Sequence, residues 1–271
     1  MYENVIELVG TEKGPTSMVL IGVHGNERCG IDAINELLPI LKIKRGRVLI
    51  AYGNPKAVEQ NVRYTEANLN RLFKSDEMLS EKEKASYEYS RAQFLKRYLD
   101  QADYLLDTHA SLTPNSQRFV ICEENAQDIT KQLPISLIVS GFDNVEPGGT
   151  DYYMNQTGKV GICIECGYFN DLSSKDIAKE SILAFLMACG NILGTPKVTP
   201  QSIINIEGLH LTKSNFAPSK QFKDFEEIKK NQVVGTDGTE EVKMPIDGII
   251  LFARNREYSN EEAFLYGRYK K

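Results

Sequence analysis

Three short stretches of the sequence place titratable side chains directly after apolar runs: Val23-His24-Gly25-Asn26-Glu27, Asp107-Thr108-His109 and Ile162-Cys163-Ile164-Glu165. In an open parallel sheet ligands sit outside the carboxyl ends of the strands, so polar residues there are the first candidates for chemistry. The chain has three histidines, and two of them fall at such positions. A His and a Glu three residues apart across a strand-to-helix turn can converge on one point, and a distant second His can complete a set of two imidazoles and one carboxylate. With a fourth position left to water, that is the ligand pattern of a zinc hydrolase. His-x-x-Glu is a common string, and the competing reading has His24 capping the helix and His109 packed as a core histidine.

Between the first two stretches, Gly53 to Phe73 carries Gly, Asn and Pro punctuation and then Arg63, Asn70 and Arg71, with few apolar residues. Such a loop has no obvious packing role. Arginines near a metal site offer planar donors for a carboxylate or a developing oxyanion. Taken singly, each is better read as a solvated surface cation.

The elements that must position these residues alternate between strand and helix. Met18 to Val23, Arg47 to Ala51, Asp103 to Asp107, Arg118 to Cys122 and Lys159 to Glu165 read as strands, and Glu27 to Leu38, Glu81 to Gln101 and Lys175 to Leu193 as helical stretches. Strands separated by helices predict right-handed crossovers and an α/β fold with a mostly parallel sheet covered on both faces. Gly194-Thr-Pro-Lys-Val-Thr-Pro200 suits a linker. Turns such as Thr236-Asp-Gly238 and Ile246-Asp-Gly248 then predict a small β-rich domain, so the expected division is 1–195 and 196–271.

Composition narrows the function. With 32 Lys+Arg against 37 Asp+Glu among 271 residues the net charge is −5, without the basic stripe that nucleic-acid binding needs. No apolar run approaches 18 residues, and Met1 to Gly10 lacks the pattern of a signal peptide, so the expectation is a cytoplasmic protein that uses neither membrane nor nucleic acid. Five scattered cysteines predict reduced thiols. Cys163 and Cys166 form a Cys-x-x-Cys, but residues three apart on a strand face opposite ways and there is no second pair. His210 has no companion motif and reads as a packed or surface histidine.

The ordered set His24-Gly-Asn-Glu27, Asn54-Pro-x-Ala57 to Arg63-Tyr64, Asn68-Leu-Asn70-Arg71-x-Phe73, Asp107-x-His109 and Glu165 followed by Gly167 resembles the aspartoacylase and succinylglutamate desuccinylase family of the zinc carboxypeptidase superfamily. The resemblance covers about residues 15 to 170. A weaker similarity from Val234 to Phe264 looks like that family's C-terminal β domain. It implies a carboxypeptidase-like catalytic domain in which His24, Glu27 and His109 hold one zinc ion (Zn2+) per chain. It also implies Glu165 as general base and then proton donor, and Arg63 as the group that polarises the scissile carbonyl. Asn70 and Arg71 would hold a substrate carboxylate, with Tyr258 of the second domain helping to position it. Asp107 would share a strand face with His109, as a partner orienting that ring or as a cap of the following turn.

Two departures from the family pattern bear on substrate. Asn155 stands where aspartate-specific members carry an arginine, which predicts a poor fit to a second carboxylate. Asn68 replaces an aspartate found in many relatives. The expectation is therefore a zinc-dependent amidohydrolase acting on an N-acyl amino acid. The alternatives are a metallocarboxypeptidase acting on a peptide or cell-wall peptide, and a non-catalytic module binding an amino-acid derivative. A Rossmann nucleotide binder is set aside because Gly22-Val-His-Gly25 lacks the Gly-x-Gly-x-x-Gly spacing.

Overall fold

The computed structural model describes residues 4–270; Met1, Tyr2 and Glu3, part of the segment read above for a signal peptide, lie outside the described residues, as does Lys271. The chain divides into two compact units. One holds the residues up to Ile138 together with Glu146–Gln201, and the other holds Val139–Val145 together with the residues from Ser202 onward.

The chain opens with β1 (Ile6–Val9), β2 (Glu12–Ile21), α1 (Cys29–Leu37), β3 (Arg45–Tyr52) and α2 (Pro55–Gln60). It continues through α3 (Glu81–Lys84), α4 (Tyr87–Leu99), β4 (Tyr104–Ser111), β5 (Phe119–Cys122) and α5 (Gln127–Thr130). β6 (Leu137–Ser140) and α6 (Phe142–Val145) lead out of the first unit, and α7 (Thr150–Gln156), β7 (Val160–Tyr168) and α8 (Leu172–Ala188) return to it. In this unit the strands lie in the order β1-β3-β2-β4-β7-β5. The central pairs β3/β2, β2/β4 and β4/β7 are parallel, while β1 and β5 run antiparallel to β3 and β7. The fold is thus α/β with a mixed, mostly parallel sheet.

Alternation along β2 explains its unbroken apolar run. Met18 and Leu20 pack with Ala92, Leu95 and Leu99 of α4 and with Leu69, Leu72 and Phe73. Val19 and Ile21, equally buried, point to the opposite face. α1 and α8 pack together, and both lie against β4. A strand buried on both faces needs no polar side, as expected of a parallel sheet.

Two helices differ from their sequence expectation for local reasons. Glu81 to Gln101 is not one helix: Ser80 and Glu83 form a capping box that starts α3, and Ser86 caps α4 by accepting from Tyr89 N. α8 stops at Ala188 rather than Leu193 because Gly190 adopts φ +82°. The following Asn191 is buried and donates to the carbonyls of Pro15 and Arg45.

In the second unit β8 (Ser202–Leu211) is followed by β9 (Phe216–Pro218), β10 (Glu226–Ile228), β11 (Val233–Asp237), β12 (Glu240–Lys243), β13 (Gly248–Leu251) and β14 (Glu262–Tyr269). They form an antiparallel run β8-β14-β13-β10 and a separate three-stranded sheet β12-β11-β9. Phe216, Val234, Met244, Ile250 and Phe264 supply its core. His210 is part of that packing, stacked on Phe264 with ring centroids 5.2 Å apart and its Nε2 3.1 Å from Asp237 Oδ2. Among the described residues no helix is long and apolar enough to cross a membrane.

Candidate active site

The candidate residues of the first unit assemble at the carboxyl ends of neighbouring strands. β2 ends at Ile21, the chain turns at Gly22 (φ +62°), and His24 and Glu27 follow before α1 begins. The turn is closed by Glu27 N donating to His24 O at 3.1 Å. Gly25 lies so close to α2 that a Cβ there would overlap the Ala57 carbonyl carbon at 2.0 Å, so only glycine lets this turn seat against the helix. β4 runs parallel to β2, with Ile21 opposite Thr108, and this brings His109 beside the turn. On the next strand Glu165 is the register partner of His109 and its side chain therefore shares that face.

His24, Glu27 and His109 converge, all buried. Glu27 Oε1 is 2.9 Å from His24 Nδ1, Glu27 Oε2 is 3.0 Å from His109 Nδ1, and the two Nδ1 atoms are 3.2 Å apart. The carboxylate also accepts from Ala110 N at 3.0 Å and from Arg63 Nη1 at 2.7 Å. Burial alone would raise the Glu27 pKa, but the neighbouring imidazoles hold it well below the usual carboxylate range.

The outer nitrogens of both rings have assigned neighbours. His24 Nε2 lies 3.1 Å from Asn68 Oδ1, and the same oxygen accepts from Asn70 N at 3.2 Å as Asn68 caps the short helical turn Leu69–Arg71. An oxygen that accepts a backbone N–H makes His24 Nε2 the donor. Burial pushes the His24 pKa down, which favours the neutral ring and leaves its Nδ1 with a lone pair facing Glu27 and His109. His109 Nε2 is at ion-pair distance, 3.1 Å, from Asp107 Oδ2, which in turn accepts from Thr150 Oγ1 at 2.6 Å. Burial opposes protonation of His109, yet the Asp107 carboxylate carries its pKa well above the ordinary value. Asp107 thus lies between the His109 ring and Thr150.

This donor set fits a divalent cation. With His24 Nε2 donating to Asn68, the neutral His24 ring turns an Nδ1 lone pair toward the Glu27 carboxylate and His109 Nδ1, three donor atoms of the kinds that divalent zinc takes. Tetrahedral zinc with bonds of about 2.0–2.1 Å has ligand-to-ligand edges of roughly 3.3 Å, near the separations found here. Imidazole Nδ1 with the opposite nitrogen tied to an amide or carboxylate is the arrangement that fixes ring orientation at metal sites.

The remaining predicted residues are placed as follows. Arg63 reaches the cluster through Glu27, and its carbonyl accepts from Gly25 N at 3.2 Å, docking its loop on the His24 turn. Arg71 donates Nη1 to Asn70 O and Nη2 to Glu146 Oε2, each at 2.9 Å. Asn70 Oδ1 is buried without a hydrogen-bond partner. Asn155 points at the backbone, its Oδ1 accepting from Gly161 N and from Asn125 Nδ2. Tyr258 lies in the second unit between β13 and β14, 70% exposed, with its carbonyl accepting from Thr212 Oγ1.

Two residues without a sequence signal belong to the same surroundings. Glu88 of α4 is fully buried and accepts from Asn54 Nδ2, from both donors of Thr65 and from the backbone of Glu66 and Ala67, so it fixes the loop between Arg63 and Asn68. Glu146 is the partner of Arg71.

The family model for the succinylglutamate desuccinylase/aspartoacylase catalytic domain matches residues 13–188. Aspartoacylase of Xenopus tropicalis is 33% identical over 127 residues, a match covering 41% of this chain and 39% of that protein. Succinylglutamate desuccinylase of Shewanella sp. strain MR-4 is 24% identical over 261 residues, covering 86% of this chain and 76% of that protein. Among solved structures, succinylglutamate desuccinylase of Vibrio parahaemolyticus superposes with a TM-score of 0.81 at 17% identity, covering 98% of this chain and 86% of that one. The product-bound ectoine utilization protein EutE of Ruegeria pomeroyi gives 0.74 at 19% identity, with 97% and 87% covered. These structural likenesses speak to the fold.

Proposed function

Because the chain belongs to the succinylglutamate desuccinylase/aspartoacylase family, we propose that it is a zinc-dependent deacylase that hydrolyses the amide bond of an N-acyl amino acid to a carboxylic acid and a free amine. The observation that carries this reading is the convergence of His24 Nδ1, His109 Nδ1 and the Glu27 carboxylate, with Glu165 opposite His109 on the adjoining strand. His24, Glu27 and His109 would hold one zinc ion, which when bound polarises the scissile carbonyl and brings the pKa of a water toward about 7.

The side chains then have distinct tasks. Glu165 takes the proton of the attacking water and returns it to the nitrogen of the leaving amine. Arg63, a guanidinium already held at the edge of the cluster by Glu27, donates to the oxyanion that develops on the carbonyl oxygen. Asn70 and Arg71 bind the carboxylate of the substrate and so set the amide against the cluster. Asn68 and Asp107 keep the two imidazoles in one orientation and tautomer.

The test pairs the wild-type protein with Glu165→Gln, measuring zinc content and hydrolysis of a panel of N-acyl amino acids. Turnover of at least one member by the wild type and its loss by at least 1,000-fold in the variant, with about one zinc per chain in both, supports the reading. Near wild-type turnover in Glu165→Gln removes Glu165 as the base. A wild-type protein that takes up no zinc removes the reading itself.

A further inference from the structure

The Arg71 corner carries more information than an anion-binding arginine alone. Arg71 Nη2 is 2.9 Å from Glu146 Oε2, and the Glu146 side chain is only 10% exposed. The contact is built into the backbone. Phe73 N donates to Gly148 O at 3.1 Å, and Gly148 takes φ +107° with its Cα so close to the loop that a Cβ would stand 2.7 Å from the Arg71 carbonyl oxygen. Gly149 also packs beside Asn70: a Cβ there would stand 3.3 Å from Asn70 Oδ1. The segment from Glu146 to Gly149 is thus laid along Asn70 and Arg71, and Glu146 is held where it meets the guanidinium.

Charge balance follows. A guanidinium carries one positive charge, and here a mostly buried carboxylate already answers it. Arg63, which also reaches the cluster, is likewise paired with Glu27. One substrate carboxylate can share Arg71 with Glu146 through the fork of donors, but a second brought to the same corner would meet the Glu146 charge at close range. Lys159 does not supply a cation there, since its ammonium donates to the carbonyls of Leu99 and Asp100.

We infer that Glu146 is a specificity-determining residue that restricts the site to N-acyl amino acids bearing a single carboxylate. The inference rests on the deacylase reading for its substrates, while its electrostatic core concerns only Glu146, Arg71 and an incoming anion. The side chain acts by occupying Arg71 and touches no reacting atom. Substrates with neutral side chains and short monocarboxylate acyl groups are accepted; succinylated or aspartyl substrates are rejected.

The experiment has two arms. In the first, succinate is titrated calorimetrically into the wild-type protein, Glu146→Gln, Glu146→Asp and the double variant Glu146→Gln/Arg71→Ala. Glu146→Gln binds succinate at least tenfold more tightly than the wild type, Glu146→Asp binds as the wild type does, and the double variant loses the gain. In the second arm the ratio of kcat/KM for N-acetylalanine over N-acetylaspartate falls at least tenfold from wild type to Glu146→Gln. Unchanged succinate affinity in Glu146→Gln, or a gain that survives removal of Arg71, overturns the inference. Should no N-acyl amino acid be hydrolysed, the deacylase reading fails, and the titration still decides the role of Glu146.

Discussion

Replacing Glu88 with glutamine removes one charge and one acceptor from a side chain that has no solvent contact. Its Oε1 accepts from Asn54 Nδ2 at 3.1 Å, from Thr65 N at 2.7 Å and from Thr65 Oγ1 at 2.6 Å; its Oε2 accepts from Glu66 N at 3.2 Å and Ala67 N at 3.1 Å. A glutamine that keeps its oxygen toward Thr65 turns an NH2 toward two backbone donors. Each buried donor left without an acceptor costs about 1–3 kcal/mol, so Glu88→Gln should lose about 2–4 kcal/mol, partly relieved by local movement. For a chain of this size that is a Tm drop of roughly 4–7 °C. The pH dependence supplies an independent signature. Burial raises the Glu88 pKa, but the hydrogen bonds from Thr65 and its neighbours outweigh it and hold the carboxyl below its ordinary value. A carboxylate depressed in the folded state contributes stability that is present above its unfolded pKa of about 4.3 and is lost as pH falls through the lower folded value. The difference between wild type and Glu88→Gln in urea denaturation should therefore be constant near neutral pH and shrink below about pH 4. A difference under about 0.5 kcal/mol at pH 7, or one that grows on acidification, would refute the reasoning.

Further expectations follow from other parts of the structure. His109→Ala should take up less than a tenth of the zinc found in the wild-type protein by elemental analysis, and added zinc should raise the Tm of the wild type but not of the variant. Asn68→Leu, which removes the acceptor of His24 Nε2, should weaken zinc affinity about 10–100-fold in a competition with a chromogenic chelator; unchanged affinity would detach Asn68 from the ring. Cys163 and Cys166 are buried with thiol pKa values pushed well up, so both should resist a thiol reagent at pH 8 until denaturant is added.

The sheet was legible because β2 ends in the apolar run Met18–Ile21 and β4 opens with the apolar Tyr104–Leu106, and His24, Glu27 and His109 were legible as a group because they follow those runs. What the sequence hides is burial that runs against residue type. Glu88 and Arg91 sit one turn apart in the polar pattern of α4 and read as solvated, yet both are buried, Arg91 donating to the carbonyls of Tyr52 and Gly53. Glu146 gives no signal because its partner Arg71 is 75 residues away. The end of α8 is hidden for a different reason: Leu193 and Gly194 mimic a helix terminus, while Gly190 and the buried Asn191 end the helix earlier.

The separation between the two imidazoles has a consequence for how the protein is made. His24 and His109 are 85 residues apart in sequence, and only the side-by-side pairing of β2 with β4 brings their rings together. Parallel neighbours cannot be joined by a hairpin, so their pairing closes a long crossover connection. Closing a loop of that length costs about 4 kcal/mol in chain entropy, to be recovered from the sheet before any cation can contribute. A nascent chain that has emerged only as far as α4 therefore owns one imidazole and one carboxylate, a weak and unselective pair. The full donor set appears in a single step when β4 docks, so a fragment ending before Tyr104 would carry the whole His24 motif and still bind no zinc with useful affinity.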